Sequence, residues 1–193
     1  MKKLDLIHQE ASQLFARYGY DGVSMRDVAE ACGITLATLY YHFSSKEALH
    51  DEVMQFRFEA FIGALARRRQ RMTAAEDRPS VLLQDILDAV LHDQTLFNLM
   101  QHELHHLDDD LRRIHTRKRT DAFIALIQHT LEKHWERPAL DTDVFAMAAL
   151  ITGYCELIQA DDSFTTPQRD AFVQRQRAAL VALAQRHFDR PSA

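Results

Sequence analysis

The sequence predicts an all-α protein, and three observations carry that prediction. Five glycines and four prolines make nine chain breakers in 193 residues, about 5 % where average usage is roughly 12 %. Leu and Ala together supply 48 residues while Val and Ile supply 17, so helix formers far outnumber the β-branched residues that favour strands. Apolar side chains recur every three to four positions along most of the chain, the period of a half-buried helix. The composition, 47 % hydrophobic and 26 % charged, excludes disordered and fibrous classes. The length suits one domain, or one with a small appendage, and can bury a real core.

Each element follows from periodicity and punctuation. Leu4, Ile7, Ala11, Leu14, Phe15 and Tyr18 share one face of a helix over 3–18, and Gly19 can end it. Ser24 opens a short helix over 24–32, with Asp27 completing a capping box. Gly33 follows as a C-terminal glycine able to take positive φ, and Thr35 opens a second short helix over 35–42. From Ser44 the pattern lengthens. Ser44-x-x-Glu47 reads as another capping box. Leu49, Val53, Phe56 and Ala60 form one stripe, and Met54, Phe58, Phe61 and Leu65 a second, in a helix running to Arg71. Behind it come helices over 79–93 (opened by Pro79), 95–106, 109–135 with Asp108 to Asp110 at its positive end, 142–160 and 167–188. That makes nine helices, three short and six longer, with no internal repeat.

The opening MKKLDLIHQE has no apolar signal core. The longest strongly apolar stretch, 144–155, falls short of the roughly 20 residues that cross a bilayer. Cys32 and Cys155 are too few for a disulfide scaffold. The expectation is a cytoplasmic protein without a membrane span. The net charge of −5 is unevenly spread: residues 1–71 hold 10 basic and 9 acidic groups. A near-neutral front does not by itself nominate DNA as a partner.

The segment 24–43, SMRDVAEACGITLATLYYHF, is the most informative. Two short helices joined across Gly33, with Val28, Ala29, Ile34 and Leu39 where they would cross, have the arithmetic of a helix-turn-helix. Leu39 and Phe43 fit a bundle core. Tyr40, Tyr41 and His42 do not all fit one, because three adjacent positions wrap around the helix. Small and hydroxyl groups in the first turn suit entry into a major groove, and the aromatic donors that follow suit phosphates.

Here the residues resemble a known family. LFARYGYDGVSM, RDVAEACGIT and, most specifically, TLYYHF…SKEAL are similar to the DNA-binding domain of the TetR family of bacterial transcriptional regulators. The resemblance covers residues 3–50, about a quarter of the chain by motif. It implies a helix-turn-helix domain over 1–48 and a helical effector-binding and dimerisation domain over 49–190. By position it implies DNA contacts at Ser24, Arg26, Thr35, Leu36, Ala37, Thr38, Tyr40, Tyr41, His42 and Lys46. Of these, Ser24, Arg26, Tyr40, His42 and Lys46 would meet phosphates, and Thr35 to Thr38 with Tyr41 would face base edges. Leu36 and Ala37 carry no hydrogen-bonding group, so base reading would rest on thymine methyls, Thr38 and DNA shape. The implied partners are a palindromic double-stranded operator, a second copy of the chain paired through helices 142–160 and 167–188, and a small-molecule effector of apolar or aromatic character, with no cofactor.

Candidate effector residues are Phe58, Phe61, Ile62, Phe97, Met100, Leu104, Phe123, Ile127, Tyr154 and Leu157, with Leu99 and Trp135; any one of them serves equally as core. The segment 144–155 is apolar all round except at Thr152 and Gly153, so its helix should be covered on every side, by a partner copy or as a central core helix. His102-Glu103-Leu104-His105-His106 matches H-E-x-x-H, with His102 and His106 as weak metal candidates. The extended pattern wants Gly and His where Asp109 and Arg112 stand. Arg67, Arg68, Arg69 and Arg71 are expected to favour the negative end of their helix and to face Glu76 and Asp77, and Arg112 to Arg119 to form a solvated face. The regulator reading therefore stands against two others: an HExxH metal-dependent hydrolase, and a helical small-molecule-binding protein without DNA activity.

Overall fold

The structure, a computed structural model, describes residues 3–73, 76–104, 110–159 and 166–189. Among the described residues there are nine helices and no strand: α1 (Lys3–Tyr18), α2 (Met25–Ala31), α3 (Leu36–His42), α4 (Lys46–Arg69), α5 (Pro79–His92), α6 (Thr95–Leu104), α7 (Asp110–Trp135), α8 (Asp141–Gln159) and α9 (Thr166–His187). The all-α expectation holds. Residues 105 and 106, where α6 was expected to end, lie outside the described residues, as does residue 160.

The chain divides into two compact units, one of residues 1–62 and 93–119, the other of 63–92 and 120–193. The first contains α1, α2, α3, α6 and most of α4. Its core joins Ile7, Ala11 and Phe15 of α1, Val28 and Ala29 of α2, Leu39 of α3, Phe43, and Leu49, Val53 and Met54 of α4 to Leu99 of α6. Sequence periodicity placed α6 among the rear helices, yet it packs on α1. α4 runs unbroken through residues 48 and 49, where the two expected domains meet.

Punctuation explains the short front helices. The Ser24 hydroxyl accepts from the Asp27 amide at 3.2 Å while the Asp27 carboxylate accepts from the Ser24 amide at 2.7 Å, the reciprocal capping box. Those bonds from Ser24 hold the Asp27 carboxyl below its usual range. At the other end of α2 the Ile34 amide donates to Ala29 and the Gly33 amide to Glu30, with Gly33 at φ +62°; this is a Schellman closure, which a left-handed residue permits. Thr35 then caps α3 through the Thr38 amide at 3.1 Å. The cap of α4 sits one residue later than expected. Ser45, not Ser44, accepts from the Ala48 amide at 3.2 Å, and Glu47 is drawn away to accept from the Tyr20 hydroxyl at 2.5 Å.

The second unit packs α5 against α8 and α9. Leu82, Leu83, Ile86, Leu87 and Val90 of α5 are buried, as are Ile127, Leu131 and Trp135 of α7 and Met147, Ile151 and Tyr154 of α8. Arg177 of α9 grips Asp88 of α5 with two nitrogens, one at 2.7 Å. The Trp135 indole donates to the Phe188 carbonyl at 2.7 Å. The basic run that follows α4's core contributes here as well: Arg69 and Lys133 converge on the buried Asp77. The α7 run is not the uniform solvated face expected of it, since Arg119 is buried while Arg117 and Lys118 are exposed.

Candidate nucleic-acid interface

Two anchors hold α3. Leu39 is fully buried and Phe43, at its C-cap, is 2 % exposed. With those positions inward, a seven-residue helix must present its remaining faces outward. Tyr41 is 85 % exposed and Tyr40 49 %. Thr35 and Ala37 are exposed; Leu36, Thr38 and His42 are half-buried. The Tyr41 and His42 rings meet edge to face with centroids 5.2 Å apart. An 85 % exposed tyrosine gains little from folding, so packing does not account for it.

Ser24, Arg26, Leu36, Tyr40 and Lys46 border one concavity of about 580 Å³, beside α2's N-terminus. Ser24 and Arg26 are exposed there. The structure thus brings five of the ten expected contact residues together. Thr35 and Thr38 form a neighbouring pair whose hydroxyls lie 2.8 Å apart.

Lys46 does more than its motif position implies. Its ammonium donates to the Tyr20 carbonyl at 2.9 Å and to the Val23 carbonyl at 3.0 Å, and it lies 4.1 Å above the Tyr20 ring. It stitches the α1–α2 connection to the start of α4, leaving one N–H for an outside acceptor. Backbone carbonyls carry no side-chain signature, which is why sequence reading missed this role.

Of the effector candidates, Phe61 and Phe97 meet edge to face at 5.8 Å in the first unit, where Phe58 is buried and Ile62 and Met100 are half-buried. In the second unit Ile127 and Tyr154 are buried and Phe123 is half-buried. The side chains of Leu104 and Leu157 lie outside the described residues, as do those of His102 and His106.

The family model for bacterial regulatory proteins of the tetR family matches residues 7–53, which span α1 to the second turn of α4. Over this stretch the chain is similar to the TetR family of bacterial regulatory proteins. The transcriptional repressor KstR2 of Mycolicibacterium smegmatis is 25 % identical over 144 residues, covering 72 % of this chain and 70 % of the relative. Among solved structures, the regulator AibR in complex with isovaleryl coenzyme A and operator DNA superimposes with a TM-score of 0.71 at 18 % identity, covering 97 % and 99 % of the two chains. FadR of Bacillus subtilis, in complex with stearoyl-CoA, gives 0.72 at 14 % identity, covering 93 % and 98 %. At these identities the likeness is one of fold, and it extends through the helices behind residue 53.

Proposed function

We propose that this protein is a homodimeric TetR-family transcriptional repressor that a small-molecule effector releases from its operator. The observation that carries the reading is α3: two buried residues fix it, and its polar aromatic face is left to solvent inside a domain that matches the family model. Ser24, Arg26, Tyr40, His42 and Lys46 contact phosphates in this reading, and Thr35, Leu36, Ala37, Thr38 and Tyr41 face base edges. The functional division falls at residues 48 and 49, with the DNA reader before it. The relative KstR2 is a repressor, and AibR and FadR, solved regulators of this fold that hold acyl-CoA ligands, favour an effector with an apolar body.

Affinity must come from placed groups and from symmetry, since residues 1–71 are close to neutral. Two half-sites multiply the weak binding of one short recognition helix. An effector bound among the later helices favours a recognition-helix spacing that no longer fits half-sites about 34–36 Å apart. We assign no enzymatic role, and we place the protein in the cytoplasm, where its operator is; no described helix is long and apolar enough to cross a membrane.

Fluorescence anisotropy on operator duplexes tests the reading. Tyr41→Ala should weaken binding by about tenfold or more without lowering the melting temperature, because the side chain is 85 % exposed. Glu103→Gln should leave operator binding unchanged. Full operator affinity in the Tyr41 variant would remove α3 from the interface.

A further inference from the structure

Sequence reading treats the arginines at the end of α4 as a helix-end run facing Glu76 and Asp77. Among the described residues Arg69 pairs with Asp77, and Arg67, Arg68 and Arg71 share a cleft with Glu76. With Arg78, Met72 and Val81 they surround this open cleft of about 590 Å³ between the last turns of α4 and the first turn of α5. The cleft is built rather than merely charged. Arg68 is held at 2.6 Å by Asp85, whose carboxylate is 6 % exposed, and burial pushes that carboxyl above its usual value. Arg78 lies 3.8 Å from Asp189, itself fixed by the Ser80 amide at 2.9 Å. Glu76 also lines the cleft, but it already accepts the Thr73 amide at 2.9 Å and hydroxyl at 2.8 Å. Arg67 and Arg71 stand one turn apart, exposed, and their guanidinium groups have no ion-pair or hydrogen-bond partner among the described residues.

The charges can be counted. Asp85, Asp189 and Glu76 offset three of the four guanidiniums, which leaves the cleft positive in a chain of net charge −5. Two unpartnered guanidinium forks on adjacent turns suit the oxygens of a phosphate, which each fork can meet with two parallel N–H bonds. Met72 and Val81 offer apolar surface beside them.

We propose that this cleft is a binding site for a small amphiphile with a phosphate headgroup, the headgroup between Arg67 and Arg71 and the apolar body along Met72 and Val81. The site stands on its own residues and does not depend on the regulator reading.

Isothermal titration with decyl phosphate below its micellar concentration, at fixed ionic strength, tests it. Wild-type protein should bind decyl phosphate, with inorganic phosphate and 1-decanol each weaker by about tenfold or more. The double variant Arg67→Ala, Arg71→Ala should lose about tenfold or more in decyl phosphate affinity with its melting temperature unchanged, since both side chains are exposed. Lys118→Ala, which removes an exposed cation elsewhere, should bind as wild type does. No binding of decyl phosphate, or equal binding by the double variant, overturns the proposal. Equal loss in Lys118→Ala reduces the effect to bulk charge and overturns it too. Inorganic phosphate binding as tightly as decyl phosphate would overturn the amphiphile assignment.

Discussion

Lys46 carries two demands at once. It is a proposed phosphate contact, and in the structure two of its three N–H groups are already committed to Tyr20 and Val23. Replacing it with Ala leaves both carbonyls without that donor and removes the contact with the Tyr20 ring. Urea denaturation of Lys46→Ala should show a loss of about 1–3 kcal/mol, alongside weaker DNA binding. Unchanged stability would mean the stitch contributes nothing. Tyr154 poses the opposite case. Its phenol is 1 % exposed, its hydroxyl has no partner among the described residues, and burial pushes its pKa up to about 12. A buried donor left unbonded costs stability. Tyr154→Phe should therefore be neutral or stabilising by up to about 1 kcal/mol in the same assay; a clear loss would show that the hydroxyl is bonded in solution. Neither case was legible beforehand, because a lysine's acceptors and a tyrosine's missing partner depend on where other helices lie.

Helix ends were the most readable feature, and the reasons are local. The Ser24–Asp27 box, the Thr35 cap and the left-handed Gly33 all behave as their residue types require. Ends without such markers were less readable. α7 closes at Glu136 with φ 53° and no glycine, and the α4 cap slipped from Ser44 to Ser45 when Tyr20 drew Glu47 away. The first stripe of α4 also thins out: Leu49 and Val53 are buried, Phe56 half-buried and Ala60 exposed. The turns around the DNA reader separate two uses of glycine. A Cβ at Gly33 would meet nothing within 4 Å, so Gly33→Ala carries only the left-handed backbone penalty, about 1–2 kcal/mol. A Cβ at Gly22 would run into the Tyr18 carbonyl oxygen, a clash that backbone movement must relieve. Thermal unfolding should rank Gly22→Ala below Gly33→Ala, and both below wild type. The reverse order would mean that the α1–α2 connection yields more easily than the helix-turn-helix closure.

At the scale of the molecule, one face of α8 is open in the single chain, which is not the arrangement of a central core helix and leaves that face for a partner copy to cover. Val144, Met147, Ile151, Tyr154 and Cys155 are buried, yet Phe145 is 62 % exposed, and Ala146, Ala149 and Thr152 are exposed beside it. α9 shows a comparable face, with Leu183 49 % exposed next to Ala179. Such faces are the natural seat of the second copy in the proposed dimer. Sedimentation of Phe145→Asp, Leu183→Asp at micromolar concentration should give monomers where the wild type gives dimers; a variant dimer would put the interface elsewhere. The overall helical plan was readable because glycine and proline are so sparse. The packing of α6 on α1 was not, since an apolar helix face does not name its neighbour.

Selection from a random duplex DNA pool tests the central claim most directly. The wild-type protein should enrich an inverted repeat whose half-sites lie one helical turn apart, about 34–36 Å, and Tyr41→Ala should enrich none. A wild-type pool without a motif, or the same motif enriched by the variant, would contradict the assignment of α3 as the reader of DNA.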